Sequence, residues 1–274
     1  MTPQSAGRGR PRRATSGRPW VHTATDPEQL AEVVASALTA RLAEAQAENR
    51  TASLVLTGGG IGTAVLAHLP EVVPLPTREP VDWSAVEVWW SDERFVPADD
   101  PQRNELSARQ ALLELVGVPD QRVHPMPASG VGSMEPEDAA AWYAAQLGAA
   151  APAGRPLPRF DVLLLGVGPE GHVASIFPRS SAARDDRAVV AVRNCPKPPP
   201  TRLSMTFSTI NTAEEVWILA AGRAKARAVS DALSGADPLS VPAAGVRGTQ
   251  ATRWWLDAAA ASELPKGGFS SFGT

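Results

Sequence analysis

Cysteine, long apolar runs and lysine are all scarce in this sequence. Cys195 is its single cysteine, which excludes a disulfide within these residues and a zinc site built from clustered cysteines. This scarcity fits a reducing cytoplasm, where we expect the protein to reside. No apolar run approaches the roughly 20 residues needed to cross a bilayer, so we expect no membrane association. Only three of the 26 basic residues are lysines, so the position of each lysine is informative.

Charge is distributed unevenly along the 274 residues. Residues 1–19 hold five arginines and no acidic residue, and their glycine, proline and serine content is typical of a disordered tail. The whole chain has a formal net charge of −3, so residues 20–274 are acidic, which argues against nucleic-acid binding. With no internal repeat or clear linker, we expect one folded domain over residues 20–262 and a flexible tail at 263–274.

Short apolar runs of strand type alternate with segments of helical periodicity. Asp26, Pro27 and Gln29 form a helix-start signal before apolar residues at helical spacing. The alternation predicts an α/β fold, a three-layer Rossmann-like arrangement in which helices cover both faces of a mostly parallel sheet. Ligands of such sheets bind beyond the carboxyl ends of the strands. Predicted strands cover 53–57, 86–90, 160–165, 188–192, 201–208, 216–221 and 253–256, and further helices cover 104–115 and 223–234.

Two of these strand ends carry groups suited to an anion. Gly58 and Gly59 belong to a run of three glycines before a helix, where bare N–H groups and the helix dipole favour phosphate; a tight turn is the alternative. After strand 86–90, Arg94 is suited to clamp a phosphate or carboxylate, and Asp92 to hold sugar hydroxyls or neighbouring cations. An exposed loop with local ion pairs is the alternative here. Asn104 opens the next helix and adds hydrogen-bonding groups.

A glycine-rich segment follows the strand at 160–165 and contains His172. Its glycines at 166, 168 and 171 match G-x-G-x-x-G, but Pro178 limits any following helix to about two turns, which disfavours a dinucleotide site. A histidine directly after a strand end can act as a base near neutral pH, since its ordinary pKa is about 6.5. We therefore expect His172 to be catalytic, with a structural histidine as the alternative.

Two cations later in the chain complete the candidate set. Arg202 begins a predicted strand, and Lys225 lies in the first turn of a predicted helix. Because a cation is unfavourable at a helix N-terminus, Lys225 indicates an anionic ligand; an ordinary solvated lysine is the alternative.

These segments together resemble the 6-phosphogluconolactonase family, which shares a superfamily with glucosamine-6-phosphate deaminase. The resemblance spans about residues 20–262, in the expected order, through segments 56–59, 91–97, 165–178, 199–204 and 222–225. It implies hydrolysis of 6-phospho-D-glucono-1,5-lactone to 6-phosphogluconate in the oxidative pentose phosphate pathway, with no metal or organic cofactor. The expected partner is thus a phosphorylated sugar lactone, and the expected state a monomer or weak homo-oligomer.

The resemblance also implies a role for each matching residue. His172 would activate water as the general base, while backbone N–H groups of the 166–171 loop and a nearby cation would stabilise the oxyanion. The residues implied to bind substrate are Gly58, Gly59, Asp92, Arg94, Asn104, Gly171, Arg202 and Lys225.

Three residues depart from the lactonase pattern, namely Glu170 in place of aspartate, Val173 in place of threonine and Arg103 in place of serine. One alternative function is a sugar-phosphate isomerase or deaminase of the same fold. The related deaminases carry a catalytic glutamate five residues after the histidine, and this chain has Phe177 there, which disfavours that reading. The other alternative is a non-enzymatic sugar-phosphate sensor.

Overall fold

The computed structural model describes residues 19–47, 51–72, 80–130, 132 and 134–265. The tail predicted for residues 1–19 lies outside these ranges except for Pro19, and so does most of the tail predicted for 263–274. Within the described ranges, no helix has both the length and the apolar character to span a membrane.

The described ranges contain nine strands and seven α-helices. The strands are β1 (Trp20–Ala24), β2 (Ala52–Leu56), β3 (Val86–Trp90), β4 (Asp92–Arg94), β5 (Val162–Gly166), β6 (Val189–Val192), β7 (Arg202–Met205), β8 (Glu215–Ala220) and β9 (Ala251–Asp257). The helices are α1 (Pro27–Ala47), α2 (Gly60–His68), α3 (Asn104–Ala108), α4 (Glu114–Val116), α5 (Pro136–Ala149), α6 (Phe207–Ile210) and α7 (Ala226–Leu233). A π turn, Arg109–Leu113, joins α3 to α4.

Six strands form a parallel sheet in the order β1-β9-β8-β5-β2-β3. All five residues of β2 are buried, as expected for a parallel strand that is covered on both faces. Neighbouring residues of the central strands point to opposite faces. Leu54 and Leu164 pack in a core cluster with α1 and α2, whereas Val55 and Leu163 pack in a second cluster with α5 and α7. The predicted three-layer α/β class is therefore confirmed.

The start of α1 is also confirmed. The Asp26 side chain accepts a hydrogen bond from the N–H of Gln29 at 2.9 Å, which satisfies one of the free donors of the first turn. The Gln29 side chain in turn accepts from the N–H of Thr25 at 2.7 Å. In the standard capping box, this second bond comes from the N–H of the N-cap residue, which here is Asp26; in this helix it comes from the residue before it.

A second, antiparallel sheet of β4, β7 and β6 is not predicted by the sequence pattern. Only Ser91 separates β3 from β4, so the chain passes from the main sheet into the small one at the candidate site. The strand predicted at 201–208 is too long, because α6 begins at Phe207. This small sheet is what carries the predicted residues of β4 and β7 to the carboxyl edge of the main sheet.

Candidate active site

A cavity of roughly 290 Å³ lies at the carboxyl ends of β2 and β5, against the small sheet. Eight of the nine predicted site residues line it, and Gly171 does not. The eight are Gly58, Gly59, Asp92, Arg94, Asn104, His172, Arg202 and Lys225. Thr57, Gly166, Val167, Gly168, Ala174, Lys197 and Pro198 complete the lining. A larger cavity of about 680 Å³ opens beside Trp20 and Trp254, but Arg247 is the one charged residue among those that line it in the described chain.

The glycine loop presents free backbone donors at the start of α2. Within the described ranges, the N–H groups of Gly58 and Gly59 have no acceptor. Gly59 has a φ of +88°, a conformation that other residues rarely adopt. Gly58 packs so closely on the Asn104 side chain that a Cβ would overlap it. The loop thus offers two N–H groups and a helix N-terminus to an anion.

Two arginines lie opposite each other on neighbouring strands of the small sheet. Arg94 on β4 is the register partner of Arg202 on β7. Arg202 donates to the backbone oxygens of Lys197, Pro198 and Pro199, each at 3.2 Å, while Arg94 has a buried Nε without an acceptor among the described residues. Like charges opposite each other destabilise a strand pair. An anion in the cavity would offset this repulsion.

Asn104 and Asp92 are fixed by bonds that leave acceptor groups for a ligand. The Asn104 amide donates to the backbone oxygen of Asp92 at 2.9 Å, while its buried Oδ1 has no donor among the described residues. The Asp92 carboxylate accepts from the Ser175 hydroxyl at 2.7 Å. These oxygens are suited to sugar hydroxyl groups, which need acceptors as well as donors.

Glu93, which lies between two site residues, fixes both Arg94 and Asn104. Its Oε1 accepts from their N–H groups at 2.7 and 2.8 Å, and its Oε2 accepts from the N–H of Glu105 at 2.9 Å. The side chain is 1% exposed, and Oε2 lies 3.8 Å from Nη2 of Arg103. Burial raises the pKa of Glu93, while the Arg103 charge and the three N–H donors oppose that rise. Glu93 therefore holds the N-terminus of α3 against β4.

Replacing Glu93 by alanine should lower the free energy of unfolding by roughly 3–5 kcal/mol, because it leaves three N–H groups without their acceptor and removes one of the two carboxylates beside the buried Arg103 guanidinium. Urea denaturation followed by circular dichroism measures this. Glu137→Ala is the matched control, since Glu137 pairs with Arg193 on the exposed surface and should contribute little. A loss for Glu93→Ala no larger than that of the control would contradict the assigned role.

His172 lies in a loop that gives its two ring nitrogens different surroundings. Nδ1 is buried and lies 3.0 Å from Oε1 of Glu170, although the two groups are not aligned as a hydrogen bond. Nε2 is therefore the nitrogen available to the cavity. Gly168 packs against the ring so closely that a Cβ would overlap it, and the Phe177 ring centroid is 4.6 Å away. Burial lowers the pKa of His172 below its ordinary value, and this outweighs the opposing effect of Glu170. The imidazole is thus neutral and able to accept a proton near pH 7.

Most of the backbone N–H groups expected to stabilise an oxyanion are already engaged in hydrogen bonds within the protein. Within the 166–171 loop, Gly166 donates to Thr57 Oγ1 at 3.1 Å, Val167 to the Leu219 oxygen at 3.3 Å and Gly168 to the His172 oxygen at 2.9 Å. Gly171 donates to Gly168 at 2.9 Å, and its α-carbon packs on Val241, which explains why it stands outside the cavity lining. The cations that line the same cavity are also suited to stabilise an oxyanion.

Lys225 is predicted in the first turn of a helix and lies at the N-cap of α7, one residue before that helix begins. The preceding Gly222, at φ +91°, donates its N–H to the Asp257 carboxylate at 3.0 Å, which fixes the turn after β8. Burial and the nearby Lys197 charge lower the pKa of Lys225. An ammonium held in this position is destabilised until an anion pairs with it.

Lys197 is the principal residue that sequence reasoning misses. Its Nζ lies 3.0 Å from Oε2 of Glu170, and the residue lines the same cavity as His172. The one available signal is the scarcity of lysine, because two of the three lysines meet here.

Comparison with known proteins identifies the family. Residues 25–255 match the model described as glucosamine-6-phosphate isomerases/6-phosphogluconolactonase. The chain belongs to this family. It is 49% identical over 245 residues to a 6-phosphogluconolactonase of Streptomyces coelicolor, covering 88% of this chain and 93% of that protein. A Mycobacterium tuberculosis 6-phosphogluconolactonase is 46% identical over 242 residues, covering 88% and 96%. The crystal structure of Trypanosoma brucei 6-phosphogluconolactonase superposes with a TM-score of 0.76 at 26% identity, covering 91% and 100%.

The three departures from the lactonase pattern of this family lie behind the cavity and do not line it. Arg103 is buried and donates to the Met126 oxygen and to Glu105, both at 2.8 Å. Val173 is fully buried and bridges to the backbone of neighbouring loop residues. Glu170 contacts both His172 and Lys197. These three residues therefore contribute to the support of the cavity and not to its lining.

Proposed function

We propose that this chain is a 6-phosphogluconolactonase, which hydrolyses 6-phospho-D-glucono-1,5-lactone to 6-phosphogluconate. The observation that carries the proposal is a largely buried histidine that shares one cavity with the register partners Arg94 and Arg202, and its burial lowers its pKa. The named relatives of the family support the same reaction. Residence in the cytoplasm and a monomeric or weakly associated state remain predictions, as does the absence of a cofactor.

The reaction needs a base, an anion site and charge stabilisation. In the proposed mechanism the phosphate lies among the cavity cations and the glycine-loop N–H groups. Nε2 of His172 takes a proton from water, and the resulting hydroxide forms a bond to the lactone C1. The cations stabilise the oxyanion. Collapse of the tetrahedral intermediate breaks the C1–O5 bond, and the imidazolium returns its proton to O5.

Phe177 argues against the deaminase alternative. It occupies the position where the related deaminases carry an acid, and its ring packs on His172 and on the Arg202 guanidinium, 5.7 Å from the centroid. An apolar ring cannot transfer the proton that ring opening needs. The sensor alternative predicts binding without turnover. Lactone hydrolysis coupled to 6-phosphogluconate dehydrogenase, with spontaneous hydrolysis subtracted, separates the lactonase from both alternatives; no activity above the spontaneous rate would overturn the proposal.

The pH dependence of kcat/KM should have its acidic limb below pH 6.5. His172 must be neutral to act as a base, and burial lowers its pKa, so activity falls only as pH drops through that lowered value. Rates measured in the coupled assay between about pH 4.5 and 7.5 test this. A limb centred clearly above the ordinary histidine pKa of about 6.5 would contradict the assignment.

A further inference from the structure

A chain of three charged or polar side chains runs from the Pro-rich loop to the proposed base. Lys197 Nζ lies 3.0 Å from Oε2 of Glu170, and the other carboxylate oxygen lies 3.0 Å from Nδ1 of His172. Glu170 and Lys197 are about one third exposed, at 32% and 40%, whereas His172 is 14% exposed. A carboxylate this open to solvent can adopt other rotamers, so its second partner decides where it points.

The backbone of the Lys197 loop is itself fixed. The Arg202 side chain donates to three successive carbonyl oxygens, those of residues 197, 198 and 199. Arg202 is 5% exposed, and its strand β7 pairs with both β4 and β6. Lys197 therefore approaches Glu170 from a rigid support, while Glu170 is on the same loop as the histidine.

We infer that Lys197 is a positioning residue for the proposed base: its ammonium holds the Glu170 carboxylate against Nδ1 of His172, which keeps the proton on Nδ1 and Nε2 free for water. The inference rests on the proposed function of the site. Lys197 acts through Glu170 and touches neither the water nor the reacting carbonyl in this role. Orientation of a base by a carboxylate fixes its tautomer, and the effect on catalysis is large where it is lost.

Lys197 also balances the charge around the imidazole. The groups that face His172 are Glu170 on its own loop, Lys197 on the Pro-rich loop and Asp92 on β4, while Arg94, Arg202 and Lys225 share the cavity. Both carboxylates favour the protonated imidazole, and Lys197 disfavours it. Without Lys197, Glu170 would raise the pKa of His172 and hold more of it in the imidazolium form, which cannot accept a proton.

The test compares Lys197→Met with Glu170→Gln in the full-length chain. Each should lower kcat by about tenfold or more, the cost typical of outer partners of functional histidines. The acidic limb of kcat/KM should move to higher pH in Lys197→Met and to lower pH in Glu170→Gln. Adding Lys197→Met to Glu170→Gln should cost little more, because both changes break one chain of contacts. Nitrogen NMR of the histidine rings, with His172 assigned from His172→Asn, should show loss of the Nδ1–H tautomer in both variants.

Two controls separate a positioning role from loss of a surface cation. Lys197→Arg keeps the charge and should retain most of kcat, whereas Arg193→Met removes a cation of the same loop that pairs with Glu137 and should leave kcat and the pH profile unchanged. An unmoved limb and an intact tautomer in an active Lys197→Met variant would overturn the inference and leave the proposed function standing. A rise in KM with kcat unchanged would do the same, since it would assign Lys197 to substrate binding. A wild-type protein without lactonase activity would defeat the proposed function itself.

Discussion

Replacing His172 by asparagine should lower kcat by about 10²–10⁴-fold, the usual cost of losing a general base. Asparagine keeps a hydrogen-bonding group but cannot accept the proton from water. The loss should fall on kcat more than on KM, because water is activated only in the transition state. The fold should persist, since the ring lies at a cavity wall and its Nδ1 makes no aligned hydrogen bond among the described residues. Steady-state kinetics in the coupled assay measure the effect.

His22 supplies the matched control. Burial lowers its pKa as it does that of His172, but its ring packs on Trp255 at 5.1 Å, away from the cavity. His22→Asn should therefore retain wild-type kcat. If His172→Asn kept more than about a tenth of kcat at neutral pH, a base of the expected size could not reside there. Glu170 and Asp92 would then be the next candidates.

Apolar runs predicted the middle of the main sheet well because its strands are buried on both faces. β2 and β5 are short, continuous apolar segments with glycines directly after them, so their ends and the loops beyond were readable from the sequence. β1 was missed because it adjoins the Arg-rich segment and carries an exposed Trp20 at the edge of the sheet. The small sheet is not predicted because all three residues of β4 are charged, and consecutive charged residues are typical of a loop.

Strand ends likewise predicted most of the residues that line the cavity, since parallel strands bring their carboxyl ends to one edge. Gly171 lies outside the cavity lining, and its N–H closes a local turn through a bond that residue spacing does not reveal. Glu93 is not predicted as a site residue, because its role depends on a helix that starts eleven residues later. Lys197 is not predicted as a site residue because its partner, Glu170, lies 27 residues away on another loop. A residue that acts through a second residue can be identified only from three-dimensional contacts.

Removing the phosphate from the substrate should lower kcat/KM by at least about a hundredfold. The cavity holds Arg94, Arg202 and Lys225, and charge-assisted hydrogen bonds contribute about 1.5–3 kcal/mol each, so losing two gives this factor. D-glucono-1,5-lactone has the same reacting ester without the anion and is the probe. Comparable specificity constants for the two lactones would contradict the anion site.

Lys225→Met tests the same site from the protein side. Within the described residues its ammonium has no hydrogen-bonded or ion-paired partner, so removing it should disturb little of the protein's own structure. The variant should lose at least about tenfold in kcat/KM on the phosphorylated lactone, the value of one such bond, and almost nothing on gluconolactone. Arg227→Met, two residues on, removes a cation that pairs with Asp231 on the exposed face of α7 and should change neither value. An equal loss on both lactones would place Lys225 at the carbonyl and leave the phosphate to the arginines and the glycine loop.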